Sequence, residues 1–295
     1  MKSIFIAGCG YIGRRVARLA GASGFKTACL VRSTERGGEL EQLGFRTIVA
    51  SLDDPAGIPM LEAAAGGVLL YCVPPPGGGL FDTRARNLCA GLALPAPPAK
   101  IVYLSATSVY SETNGGVVTE ASPTAPASAM GKRRLDAEAV FREFGAAHGA
   151  AVVILRISGI YGPGRLPLMQ ISQGQPLLRE EESGSSNRIH ADDLAQVCLA
   201  AAEKGLDGDI FNVSDGHPGS MTSYFNAAAD ALGMPRQPQV TLEEARRAMS
   251  PLMFSYVSES RVVDNTRMLE RLGIRLRCPT LAEGLPASVQ ASLRS

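Results

Sequence analysis

The chain has 295 residues, 45% of them apolar and 19% charged, with 29 Lys and Arg against 28 Asp and Glu and a formal net charge of +1. The length exceeds the usual single domain of about 100–150 residues, and the near-zero charge removes the electrostatic reason to expect nucleic acid or an acidic membrane surface as a partner. No run approaches the roughly 20 apolar residues of a membrane span, and the apolar run after Lys2 is too short for a secretory signal. A cytoplasmic protein with a small-molecule substrate, no nucleic acid and no membrane partner is the expectation.

The first predicted element is the apolar run Ser3–Ala7, read as a buried parallel strand. It feeds into Gly8-Cys9-Gly10-Tyr11-Ile12-Gly13, and the amphipathic segment Tyr11–Ala22 then reads as a helix. Strand, G-x-G-x-x-G and helix in that order form the start of a dinucleotide-binding βαβ unit. Gly8 permits the tight turn, Gly10 lets a pyrophosphate approach the backbone, and Gly13 lets helix and strand pack closely. The phosphates would sit on the free N–H groups of Tyr11, Ile12 and their neighbours at the helix start. The plain alternative is a Gly-rich turn used only for packing.

The second strand, Thr27–Val31, runs into Arg32 and Ser33. NAD enzymes of this type place Asp or Glu there to bond the ribose 2′-OH. Arg32 would instead pair with a 2′-phosphate, with Ser33 adding a hydrogen bond and Arg36 close by, which favours NADP over NAD. A solvated loop charge is the alternative for Arg32.

Helix-like stretches at Glu39–Leu43, Ile58–Ala65, Phe81–Leu92 and Met130–His148 then alternate with strand-like runs at Thr47–Ala50, Gly67–Tyr71, Ile101–Ser105 and Val152–Ile157. This rhythm predicts a parallel sheet with helices on both faces, its strands apolar throughout because both faces are covered. Segments following the strand ends line the ligand crevice of such a sheet, which makes Leu52, Val73 and Pro74 further candidate cofactor contacts. The Pro- and Gly-rich loop Val73–Gly79 and the loop Glu120–Ala129 are placed for the same crevice, with ordinary connectors as the alternative. Beyond Ile157 the rhythm weakens: Asp192–Lys204, Ser220–Leu232, Leu242–Met249 and Arg261–Leu272 read as helices and Ile210–Val213 as a short strand. The fold class expected is α/β, a Rossmann-type doubly wound parallel sheet over residues 1–157 with a small mixed C-terminal substrate lobe over 158–295. The strand Ile210–Val213 is the piece of that second half that would return to the core. The six cysteines, Cys9, Cys29, Cys72, Cys89, Cys198 and Cys278, form no C-x-x-C and lack a His-rich cluster, so free thiols and no metal are expected.

Several later segments carry a resemblance. Leu104-Ser105-Ala106-Thr107-Ser108-Val109-Tyr110 is similar to the S-x-x-x-V-Y segment of extended short-chain dehydrogenase/reductases. Arg156-Ile157-Ser158-Gly159-Ile160-Tyr161-Gly162-Pro163-Gly164-Arg165 resembles R-x-x-x-I-Y-G-P-G-R, and Asn187–Leu194 resembles N-R-I-H-x-x-D-L. Phe211-Asn212-Val213-Ser214-Asp215 resembles (Y/F)-N-V-(S/G)-D. Together with the N-terminal glycines these cover nearly the whole chain in order and resemble the NAD-dependent epimerase/dehydratase family, in its atypical G-x-G-x-x-G branch.

The resemblance implies a Tyr acting as acid and base, a Lys four residues later that lowers its pKa and holds the nicotinamide ribose, and a Ser or Thr near the reacting oxygen. Here Met130 falls at the Tyr and Arg134 at the Lys; a shifted register gives Ser128 and Lys132 and still no phenol. Ala106 falls at the Ser or Thr, leaving Thr107 and Ser108 as neighbouring hydroxyls that would serve only if the loop were re-aimed. Thr107, Ser108 and Arg134 are therefore the catalytic candidates, with Arg134 also a ribose contact. Tyr110 and Tyr161 lie on loops expected near substrate and are candidates for a displaced acid, with aromatic packing as the alternative. Arg165 and Arg188 are candidates to clamp a phosphate or carboxylate of the substrate. His190, His148 and His217 read more plainly as cap and turn residues. Family members often pair through helices equivalent to Phe81–Leu92 and Met130–His148, so a homodimer is one expected arrangement. Two functions stay open: an NADP-dependent oxidoreductase or isomerase acting on a small carbonyl or nucleotide-sugar-like substrate without the usual Tyr–Lys pair, or a non-catalytic NAD(P)H sensor or ligand-binding protein with a decayed active site.

Overall fold

The computed structural model describes residues 2–92, 96–248, 254 and 259–292. Its centre is a seven-stranded parallel sheet in the order β12-β7-β5-β4-β1-β2-β3. The strands are β1 (Ser3–Ala7), β2 (Lys26–Val31), β3 (Arg46–Val49), β4 (Val68–Tyr71), β5 (Lys100–Ala106), β7 (Ala151–Ile157) and β12 (Ile210–Val213). The order reverses between β1 and β4, and that is where an open α/β sheet leaves a crevice at its carboxyl edge. The Rossmann-type doubly wound sheet expected from the sequence is the fold observed, and the strand Ile210–Val213 pairs in register with β7.

Alternation along each strand sorts side chains to two faces. Ile4 and Ile6 of β1 enter one apolar cluster with α1 (Tyr11–Ala22) and α6 (Ala191–Lys204), while Phe5 and Ala7 enter another with α3 (Thr83–Gly91) and α4 (Ala129–His148). Both faces are thus covered, which is why the strands carry no polar alternation. A smaller third cluster joins Tyr161, Leu166 and Ile171 to Tyr224, Ala228 and Ala229 of α7 (Met221–Leu232). Around it lie short pairs: β8 (Gly159–Tyr161) with β11 (Arg188–His190), and β6 (Asn114–Val118) with β15 (Ser260–Val263). Among the described residues no helix is long and apolar enough to cross a membrane.

A buried ion pair fixes α4 on the sheet. Arg156 of β7 donates through Nε (3.1 Å) and Nη2 (2.9 Å) to the Glu138 carboxylate, which also accepts from Ser105 Oγ at 2.7 Å. The hydrogen bonds on both carboxylate oxygens compensate the desolvation of two charges.

Two predicted elements differ. Ile58–Ala65 is not an α-helix but contains a 3₁₀ turn at Glu62–Ala64, following another at Pro55–Gly57. Pro59 and the Gly66-Gly67 pair bound a segment too short to nucleate a helix. In Arg261–Leu272 the β-branched Val262 and Val263 extend as β15, and the helix starts only at Thr266. The helix expected at Leu242–Met249 runs Leu242–Ala248, with Met249 outside the described residues.

Candidate functional site

A cavity of about 1010 Å³ opens at the carboxyl edge of the sheet, between β1 and β4. Its floor is the glycine loop. Gly8 has φ +86°, and a Cβ there would meet Val73 Cγ2 at 2.8 Å. At Gly13 a Cβ would meet the Gly8 carbonyl oxygen at 2.7 Å, so helix and strand touch through backbone. At Gly10 a Cβ would meet nothing within 4 Å, which leaves open space over the loop. The helix begins with Arg14 N bonding Gly10 O at 3.0 Å and has no side-chain cap. The N–H groups of Tyr11, Ile12 and Gly13 precede that first bond, and all three residues line the cavity, where the positive end of a helix favours an anion.

Every residue expected to contact the cofactor lines this cavity: Gly8, Gly10, Tyr11, Ile12, Gly13, Arg32, Ser33, Leu52, Val73, Pro74 and Arg134. The wall is strongly cationic. Arg32, Arg36, Arg84, Arg134 and Arg165 line it against the single acid Asp53. That acid is already occupied, because Arg84 donates to both its oxygens at 2.7 and 2.8 Å and holds its carboxyl below the usual range. Arg84 also donates to Pro74 O at 3.0 Å, tying the loops after β3 and β4 to the first turn of α3. This Asp53–Arg84 latch was not legible in the sequence; two loop charges 31 residues apart carry no local signal. Ser33 caps α2 (Thr34–Gln42), its hydroxyl accepting from Arg36 N at 3.3 Å.

At the other end of the cavity are Leu104, Ser105, Ala106, Arg134 and Ile157 to Ile160. Arg134 is held by a 2.7 Å bond from Nη1 to Leu104 O, which fixes a guanidinium beside the end of β5. Ser105 Oγ is committed to Glu138 and Ser158 Oγ to Val213 O, so neither hydroxyl is free to serve as an acid.

Four expectations about side chains on this edge need correcting. Thr107 and Ser108 form a 3₁₀ turn and do not line the cavity; the Thr107 carbonyl accepts from Arg261, and the Ser108 carbonyl packs against Gly131 of α4. Tyr110 is buried, its hydroxyl bonded to Asn212 Oδ1 at 2.6 Å and its ring 4.9 Å from the Arg156 guanidinium. Tyr161 is fully buried in the third cluster and its hydroxyl bonds Thr280 O at 3.3 Å. Burial pushes both phenols up, away from proton exchange. Sequence proximity to the crevice did not reveal that these side chains point inward.

The two arginines expected at the substrate separate. Arg165 lines the cavity and lies 4.6 Å over the Tyr11 ring. Arg188 lies behind Gly159, whose Cβ would meet its Nη1 at 2.8 Å, and stacks 3.8 Å from the Tyr224 ring. His190, Asp193 and Cys278 have donor atoms within 4.8 Å of one another. Asp193, however, accepts from Arg277 N at 2.7 Å and Cys278 N at 2.9 Å, and His190 Nδ1 accepts from Asp192 N at 3.3 Å. Burial lowers the His190 pKa and raises that of the Cys278 thiol to about 11, which favours the uncharged form of each, and the Asp193 carboxylate is held by backbone N–H groups.

Residues 84–214 match the NAD-dependent epimerase/dehydratase family. Protein YeeZ of Escherichia coli K12 is 25% identical over 292 residues, covering 95% of this chain and 97% of YeeZ. A putative NAD-dependent epimerase/dehydratase from Methylobacillus flagellatus superposes with a TM-score of 0.74 at 27% identity, covering 100% of this chain and 99% of that one. The UDP-glucuronic acid 4-epimerase of Bacillus cereus, solved in complex with NAD, shares the fold with a TM-score of 0.76 at 18% identity over 99% of both chains.

Proposed function

We propose that the chain, whose residues 84–214 match the NAD-dependent epimerase/dehydratase family, binds an NADP-type dinucleotide in the cationic cavity and serves as an oxidoreductase or isomerase for a small carbonyl or nucleotide-sugar-like compound. The observation that carries this reading is the glycine loop: open space over Gly10, three N–H groups without intrahelical partners, and Arg32 at the end of β2 with no carboxylate bonded to it among the described residues. These fit a pyrophosphate and a 2′-phosphate by charge and by room. The nucleotide-sugar part of the reading draws on the UDP-glucuronic acid 4-epimerase and on the human dTDP-D-glucose 4,6-dehydratase, which is 28% identical over 122 residues, or 39% of this chain.

The bound dinucleotide would supply or accept a hydride at its nicotinamide. Of this chain's own residues, Arg134, which lines the cavity at the end of β5, is the one this reading assigns to the reacting oxygen. Its guanidinium is pre-oriented by Leu104 O and stabilises negative charge developing on a substrate oxygen without transferring a proton. The proton then comes from water, since the only phenol on the cavity wall, Tyr11, donates to Pro163 O at 2.9 Å beside the glycine loop. That same observation favours a second reading, a dinucleotide sensor that binds without turnover.

The test is a calorimetric titration with NADPH and then NADH in identical salt, followed by incubation of the NADPH complex with aldehydes, ketones and nucleotide sugars while reduced-nicotinamide absorbance is followed. Tight NADPH binding with consumption supports the enzyme reading. Tight binding with no consumption, and with no interconversion of any nucleotide sugar or carbonyl compound by the complex with oxidised dinucleotide, moves the assignment to the sensor, and binding of neither dinucleotide overturns both.

A further inference from the structure

Arg165 lies far along the chain from the glycine loop and yet rests on it. Gly162 to Arg165 form a tight turn, closed by Arg165 N bonding Gly162 O at 2.9 Å. The turn is pinned on Tyr11, the residue directly after Gly10. The Tyr11 hydroxyl donates to Pro163 O at 2.9 Å, and the Gly162 α-carbon comes so close that a Cβ would meet that hydroxyl at 2.8 Å. Gly162 has φ +149°, so both its space and its backbone conformation call for glycine.

Two guanidiniums stack on the Tyr11 ring, Arg15 at 4.0 Å and Arg165 at 4.6 Å. They differ in what balances their charge. Arg15 donates to Asp192 Oδ1 at 2.8 Å and to Tyr11 O at 3.0 Å. Arg165 lines the cavity and has no carboxylate within ion-pair distance among the described residues. A ring face aligns a planar guanidinium and leaves its N–H edge free for an anion. The anion chemistry nearest Tyr11 is whatever fills the open space over Gly10 and meets the N–H groups that start α1.

We propose that Arg165 is a pyrophosphate-binding residue of the dinucleotide site, held on the Tyr11 ring so that it closes over the phosphates opposite the α1 N-terminus. This rests on the dinucleotide reading above and assigns Arg165 to the cofactor instead of the substrate. It gives the phosphates a helix N-terminus on one side and a guanidinium on the other. It also makes cofactor binding order a turn that belongs to the small lobe, because Gly162 to Arg165 lead straight into Leu166 and α5 (Leu168–Ser172).

The experiment titrates the full chain and its Arg165→Ala and Arg165→Lys variants with NADPH and with adenosine 2′-monophosphate, which keeps the adenine and 2′-phosphate but has no pyrophosphate. Arg165→Ala is expected to weaken NADPH by about tenfold or more while leaving adenosine 2′-monophosphate unchanged, as loss of a charge-assisted bond to phosphate requires. Arg165→Lys should recover part of the loss, since it restores charge without the planar fork. Equal NADPH affinity for wild type and Arg165→Ala overturns the proposal, and so does an equal loss on both ligands, which would mean a collapsed loop. A wild-type chain that binds neither ligand fails earlier, at the dinucleotide reading, and is distinguishable for that reason.

Discussion

Arg32 stands where an acidic residue would select against a 2′-phosphate. It is exposed at the cavity rim, and Asp53, a carboxylate that feels its charge, is bonded to Arg84. Its guanidinium is therefore available to a phosphate. Arg32→Asp is expected to weaken NADPH binding by about 1–3 kcal/mol and to affect NADH less, because only the former carries the second anion. Calorimetry on the two ligands checks this, and an unchanged NADPH affinity would rule it out. Asp215 makes a separate prediction. Burial lifts its carboxyl from 3.8 to about 6, against the bond it accepts from His217 N at 2.9 Å. The folded state therefore holds the proton more tightly than the unfolded chain does. That contribution favours folding below about pH 4 and is lost as the pH rises through about 6. Asp215→Asn keeps an acceptor for His217 N and removes the buried charge. It should stabilise the protein at about pH 7.5 by on the order of 1–3 kcal/mol, with the gain fading at about pH 4, as read by urea melts at the two pH values.

At the scale of elements, the unit from β1 through the glycines to α1 carries both a packing contact and the proposed phosphate site, and two glycines separate these roles. Gly13→Ala drives a methyl onto the Gly8 carbonyl oxygen at 2.7 Å and Ile6 Cγ2 at 3.1 Å. Backbone cannot yield locally, so α1 must shift off β1, at about 1–3 kcal/mol of stability and with loss of the N–H cradle. Gly10→Ala meets nothing in the fold and should cost less stability, while its methyl occupies the space over the loop. Thermal melts paired with NADPH titration distinguish the two; full binding by Gly10→Ala would place the pyrophosphate elsewhere. This unit was legible in the sequence because its signals are local: an apolar strand, glycines at fixed offsets, and a helical period that matches Tyr11–Ala22. Tyr110 and Tyr161 were not, because motif position says which loop a residue occupies and not which way its ring turns. Their direction is set by Asn212 and Thr280, more than 100 residues away. Ile58–Ala65 misled for the opposite reason, its composition suiting a helix that flanking Pro and Gly deny.

At the scale of the whole molecule, the cavity is walled by segments from both halves of the chain. Gly8 to Gly13, Arg32, Ser33, Arg36, Leu52, Val73 and Arg134 supply one side, and Ile157 to Ile160 with Arg165 supply the other. A dinucleotide seated there bridges the ends of β1 to β5, α4 and the turn after β8, none of which keeps its place in the unfolded chain. Ligand that binds only the folded state stabilises it by RT ln(1 + [L]/Kd), about 2.7 kcal/mol at a hundredfold excess over Kd. For a chain of this size that corresponds to a rise in Tm of roughly 4–5 °C. NADPH should give such a shift, Arg32→Asp should reduce it, and Gly13→Ala should abolish it, all in one set of melts at fixed salt. Because five arginines line the cavity, the shift should also shrink as salt is raised. A shift that persists in the Gly13→Ala protein would mean that NADPH binds away from the glycine loop, and the arginines of this cavity would then need another anion.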